Sequence, residues 1–178
     1  MKRKKILVIS VIVLLLLAGC GAAVVLYLRV HAIDPLPEQL SAPPELRVVC
    51  GSEEVIATSG NYTWDSELSG IGTNTIACGM HPLDAREYTA ELAQVGTTAN
   101  LMFDMKPTTV EVRCWKADSW GNTAAESEKV PVEDWSINLM SEAAIYEVTA
   151  KWENATLDGS KRKYNGTASY TFYTVIEE

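Results

Sequence analysis

Residues 145–152 read IYEVTAKW and residues 166–175 read GTASYTFYTV. In the first, Tyr146, Val148, Ala150 and Trp152 share one side of an extended chain, and Glu147, Thr149 and Lys151 the other. In the second, Ala168, Tyr170 and Phe172 oppose Thr167, Ser169 and Thr171, with Ile176 continuing the apolar side. A period of two means a strand with one face in a core and one toward water. Between the two lies the polar connection Asn154–Gly166, which contains Asp158-Gly159.

The same alternation recurs upstream. Ala99, Leu101, Phe103 and Met105 alternate with Asn100, Met102 and Asp104; Lys106-Pro107-Thr108 reads as a turn. Val110, Val112 and Cys114 then face away from Glu111, Arg113 and Trp115. Leu46, Val48 and Cys50 share a face ahead of the turn Gly51-Ser52. Tyr62 with Trp64, and Ile76 with Cys78, alternate with small or polar neighbours on either side of a glycine-rich, turn-like Ser66–Asn74. Residues 83–95 break the pattern: Tyr88, Leu92 and Val95 fall at helical spacing with Gly96 as a C-cap, predicting a short helix near 84–95. Seven or so short strands at this spacing predict an all-β fold, an antiparallel β-sandwich over residues 46–178.

Ahead of the domain stands Ile6–Leu28, ILVISVIVLLLLAGCGAAVVLYL, 23 residues without a charge. As a helix it is long enough to cross a hydrocarbon core of roughly 30 Å. Lys2, Arg3, Lys4 and Lys5 precede it and Arg29 follows, a bias that keeps residues 1–5 in the cytoplasm and puts the C-terminal domain outside. Leu17-Ala18-Gly19-Cys20 also resembles a lipobox, in which case Ile6–Leu17 is a cleaved signal and Cys20 carries the lipid. Both readings predict a domain tethered to the cell membrane, single-pass or lipid-anchored, facing outward. Residues 29–45 hold Pro35, Pro37, Pro43 and Pro44 and read as a semi-rigid stalk, spanning about 50 Å if fully polyproline II; alternatively part of the segment packs on the domain as an edge.

The chain has 178 residues and a net charge of −8. Setting aside Lys2, Arg3, Lys4, Lys5 and Arg29 leaves 10 basic against 23 acidic side chains, a charge of −13 beyond residue 29. Such a surface repels nucleic acid and anionic lipid headgroups.

The final pair of strands resembles the last two strands of bacterial immunoglobulin-like domains. Together with YTW at Tyr62, HPL at His81, VRCW ending at Trp115 and WGN at Trp120, it is similar to a group of small anchored proteins of Gram-positive bacteria. The resemblance covers about residues 46–178 and implies an Ig-like envelope β-domain. It brings no activity and no site residues.

Chemistry-bearing residues are sparse. Beyond the anchor there are three cysteines, Cys50, Cys78 and Cys114, all read on apolar sides of strands. An exported compartment permits one bridge, and Cys50–Cys78 is the pair expected if there is one; otherwise the thiols act as small buried hydrophobes. His81 is the only imidazole in the domain. No CxxC, HExxH, GxSxG or DxDxDG motif accompanies it, so no metal site, no cofactor and no triad is expected. A histidine before Pro82 more simply holds a turn by a side-chain hydrogen bond. Glu53-Glu54 and Glu133-Asp134 read as solvated turns, and Lys161-Arg162-Lys163 as a basic turn. Beside an N-terminus of bacterial appearance the sequons at Asn61, Asn154 and Asn165 read as chance; in a eukaryotic host they would mark surface.

Aromatic residues carry the one binding expectation. Trp115 points away from the Val110–Cys114 face and, with Trp120, brackets residues 116–119. An exposed indole pair could stack on a sugar or anchor a protein; alternatively the two staple a loop. Trp64, Trp152 and Tyr170 are expected in the core. The leading expectation is a non-enzymatic binding or accessory domain of the cell envelope, its partner a wall polymer, a peptide or an envelope protein. A carboxylate-dependent hydrolase assisted by His81, and an exported enzyme inhibitor, are the alternatives.

Overall fold

The computed structural model describes residues 39–157 and 159–176. The expected membrane run Ile6–Leu28, with Cys20, and the first part of the stalk lie outside the described residues. No helix within them is long and apolar enough to cross a membrane.

Among the described residues twelve strands form two sheets. In chain order they are β1 (Leu46–Cys50), β2 (Glu53–Ile56), β3 (Thr58–Leu68), β4 (Ile71–Ala77), β5 (Ala90–Ala93) and β6 (Thr98–Phe103). There follow β7 (Thr109–Lys116), β8 (Glu128–Val130), β9 (Val132–Glu133), β10 (Ser136–Asn138), β11 (Ala144–Ala155) and β12 (Lys163–Val175). One sheet runs β2-β1-β6-β10-β9; the other runs β4-β3-β12-β11-β7-β8, with β5 added parallel to β12. All other pairings are antiparallel.

The alternating residues do what their period requires. Leu46, Val48, Ala99, Leu101 and Ile137 of the smaller sheet meet Trp64, Val112, Tyr146, Val148, Trp152, Tyr170 and Phe172 of the larger in one buried core. Trp64, Trp152 and Tyr170 are core residues, as expected. At one end of the core Trp152 stands edge-on to Trp64, centroids 5.3 Å apart, and Trp64 stacks on Tyr164 at 5.4 Å. Both indole nitrogens are satisfied, Trp64 Nε1 by Leu40 O and Trp152 Nε1 by Met105 O. At the other end Tyr146 and Phe172, cross-strand partners, stack at 4.9 Å.

Several expectations are corrected. No α-helix occurs at 84–95: two 3-10 turns, Pro82–Asp84 and Arg86–Tyr88, lead into β5. Only Leu92 of the helical stripe is buried, while Tyr88 and Val95 are exposed. The cause is β12, which runs past its pairing with the start of β3 at Thr171; residues 172–175 gain backbone partners from β5. Paired backbone outweighs the local 3.6 period. The turn expected over Ser66–Asn74 shrinks to Ser69-Gly70, and the flanks belong to the long β3–β4 hairpin. Ile76 and Ile176 are exposed, because β4 is an edge strand and β12 ends at Val175.

Among the described residues the three cysteines, Cys50, Cys78 and Cys114, are free. Cys50 ends β1 facing the core, its thiol toward Gly96 O, whereas Cys78 is exposed beyond β4 in the other sheet. The Cys50–Cys78 bridge therefore does not form. Nor is the end of the stalk free. Pro44 is buried, Leu40 N is held by the Tyr164 hydroxyl, and Pro44 O accepts a 2.6 Å bond from the Tyr170 hydroxyl. Gln39 reaches Ser66 and Thr73. A proline-rich segment leaves its backbone groups unpaired: Trp64 and Tyr170 donate to its carbonyls, and the Tyr164 hydroxyl accepts from Leu40 N.

Burial raises the pKa of Tyr170, and pushes that of Tyr146 up to about 12. Both phenols stay protonated in the fold at a pH where the unfolded chain ionises near 10. Their stabilising effect is therefore complete below pH 10 and lost as pH climbs through 10–12. Unfolding followed by circular dichroism in urea should lose up to roughly 2–3 kcal/mol per pH unit there. Tyr146→Phe should flatten part of that slope; an unchanged slope would show that Tyr146 does not contribute.

Candidate binding surfaces

The outer face of the larger sheet holds the residues singled out in sequence. Trp115 leaves β7 on that face but is only 7% exposed. It packs with Leu83 and Ile145 in a second small core, joined by Trp120, Ala125 and Tyr173. Two loops make the lid. Gly121 N donates to Leu83 O at 2.8 Å, and Trp115 Nε1 to Ala125 O at 3.1 Å. Trp120 is half-buried, its ring edge-on to Tyr173 at 5.6 Å and under the Arg86 guanidinium at 6.0 Å. The exposed indole pair is thus corrected to a loop staple: two extra apolar side chains on an outward face draw the 117–125 segment over themselves.

His81 opens the first 3-10 turn, and its Nδ1 accepts from Leu83 N at 3.2 Å. Its ring lies 6.3 Å from that of Trp115. Glu147 sits beside it on β11, opposite Arg113 of β7. Burial raises the Glu147 pKa, with the nearby Arg113 and His81 charges opposing the rise. These three residues meet at the margin of the staple, with His81 Nδ1 occupied as a cap. No group of His, Cys, Asp and Glu that could hold a metal is found among the described residues.

A different tryptophan is presented on the opposite side of the molecule. Ser136 pairs with Glu133, so Asp134 and Trp135 alone make the β9–β10 turn. Their φ angles are +47° and +65°. A two-residue turn with both φ positive is the geometry that matches strand twist, and asparagine-glycine is its usual sequence. For a bulky L-residue that conformation costs about 1–2 kcal/mol. Leu101 N, donating to Trp135 O at 2.7 Å, helps pin it. The indole borders a groove of about 400 Å³ with Asn100, Met102, Lys106 and Asp134. Lys106 Nζ lies 5.7 Å from the ring centre, and Met102 is 43% exposed. Asn100 and Met102 alternate with buried Ala99 and Leu101, so the groove opens on the solvent face of the smaller sheet. An aromatic plane, a thioether, an amide and two opposite charges offer stacking with hydrogen bonds at its edge.

Sequence reasoning passed over Trp135. Glu133-Asp134 reads as a solvated turn, and Asp-Trp lacks the glycine that announces such a hairpin. The available signal was the short spacing between Val132 and Ile137, both apolar with β-branched side chains. Glu53-Glu54, read likewise as a turn, instead open β2.

Comparison of the chain with protein-family models, with curated proteins and with solved structures finds no match.

Proposed function

We propose that this chain is a non-enzymatic binding module of the cell envelope, tethered by the 6–28 run and displayed outside the membrane. The ligand we assign to it is a sugar ring of a wall polymer, stacked on Trp135. What carries the reading is the left-handed backbone at Trp135, strain kept where glycine would remove it and spent on presenting an indole. Asn100, Asp134 and Lys106 stand at the rim, where ring hydroxyls would seek partners. The tether is supported by the uncharged run and its basic flank, and the Ig-like kinship of the sandwich by the likeness of the final strand pair.

The test is co-sedimentation of the full chain with purified wall glycan. Trp135→Asn should cut retention at least tenfold, about 1.4 kcal/mol or more of binding free energy, because aromatic anchors dominate such sites. Asparagine tolerates the left-handed region, so the urea midpoint should hold or rise. Undiminished binding by a folded Trp135→Asn variant would remove this groove as the site.

A further inference from the structure

Among the described strands five have an unpaired edge, and four of them are guarded; β5 has only four residues and carries Glu91. β2 has four residues and begins Glu53-Glu54; β8 has three, with Glu128 and Lys129, and Pro131 after it; β9 has two. Shortness, charge and proline are the usual protections against a new strand adding to an edge. β4 has none of them. It is seven residues long, reads IGTNTIA, and no charged residue occurs from Leu68 to Met80 in a domain otherwise rich in acids. It pairs only with β3 among the described strands. Ile71 and Ile76 are 79% and 66% exposed.

We propose that β4 is a homotypic docking edge, pairing antiparallel with β4 of a second copy to make one continuous sheet. The strand is complementary to itself about Asn74. A two-fold axis there sets Thr73 against Thr75 of the second copy, and Ile76 against Gly72. Threonine pairs favour cross-strand contact, and the glycine leaves room for the isoleucine side chain. Residues Gly72, Asn74 and Ile76 share the outer side with Glu67, Asp65 and Thr63 of β3. The Asp65 carboxylates of the two copies stand three strand spacings apart, about 14 Å, beyond the screening length of about 8 Å at physiological salt. Repulsion at the seam is therefore small, and the net negative charge of each domain makes the pairing tighten as salt rises.

The full chain in detergent micelles should show concentration-dependent dimers by sedimentation velocity at on the order of 100 µM, as fits a small edge interface. In a Cys20→Ala, Cys78→Ser background, Asn74→Cys should form a 74–74 disulfide under mild oxidation. Directly opposed residues in an antiparallel pair have Cα atoms about 4.5–5.5 Å apart, within disulfide reach. Ile76→Lys, at an exposed position, should weaken the dimer at least tenfold and leave the melting curve unchanged. A chain that stays monomeric overturns the proposal, as does a dimer that survives Ile76→Lys. So does an Asn74→Cys variant that cross-links only to other polypeptides.

Discussion

Trp152→Ala should destabilise the domain by about 3–5 kcal/mol, enough to consume much of the stability of a domain this size. Trp152 is 1% exposed and contacts both sheets' aromatic residues: Trp64 edge-on, and Phe103 edge-on at 5.7 Å. Removing it leaves a cavity between rings that belong to different strands, which cannot collapse without shifting β3 against β6. It also strands the Met105 carbonyl that its Nε1 holds. Equilibrium unfolding in urea, read by circular dichroism, gives the number. Trp152→Phe keeps most of the volume and loses the hydrogen bond, and is expected to cost about half as much. If both variants unfold with wild-type midpoints, the aromatic cluster is not what holds the sheets together.

Gly166→Ala should be comparably severe although it adds one carbon. Gly166 pairs with Trp64 on β3 and with Trp152 on β11, so two tryptophans flank it in adjacent strands. A Cβ there would overlap the Thr63 carbonyl oxygen and come within 2.8 Å of Trp64 Cε3. The first obstacle is backbone, and no rotamer change relieves it. The expected result is a loss of several kcal/mol, in the range of strong overpacking, with β3 and β12 parting. Hydrogen exchange should show the change, with amides of β3 and β4 losing protection before those of β7 and β11. Gly70→Ala is the contrast. Gly70 has φ +82° but nothing within 4 Å of a Cβ, so its cost should stay near 1 kcal/mol. Equal costs at the two positions would show that the steric clash at Gly166 matters less than its geometry implies.

Both predictions concern residues whose roles the sequence leaves half-stated. Trp152 was legible as core because Tyr146, Val148 and Ala150 share its parity. Gly166 was legible only as the end of a polar connection, and nothing local says that two indoles converge on it. The same division runs through the surfaces. Trp115 was correctly read as facing away from the Val112–Cys114 side, and of its two readings, an exposed indole or a loop staple, the structure takes the second. Parity assigns a side chain to a face of its sheet; whether a loop from elsewhere covers that face depends on residues 117–125 and on Leu83. Likewise the helical spacing of Tyr88, Leu92 and Val95 was a true regularity with no packing partner. The free backbone of β12 decided that segment.

What the amino-acid order by itself determined is the set of strands and the side of each that is apolar. The alternation at β1, β6, β7, β11 and β12 is strong, and period-two burial depends only on neighbouring residues. The lack of a metal motif and the negative charge of the domain were equally local. Tertiary structure alone decided which strands lie at the edges, and so left β4 bare and Ile76 in solvent. It alone separated Cys50 from Cys78, docked residues 39–45 on Tyr164 and Tyr170, and forced Trp135 into a left-handed turn. Those outcomes depend on pairings between residues far apart in the chain, where backbone hydrogen bonding and sheet twist outweigh any preference of the residue itself.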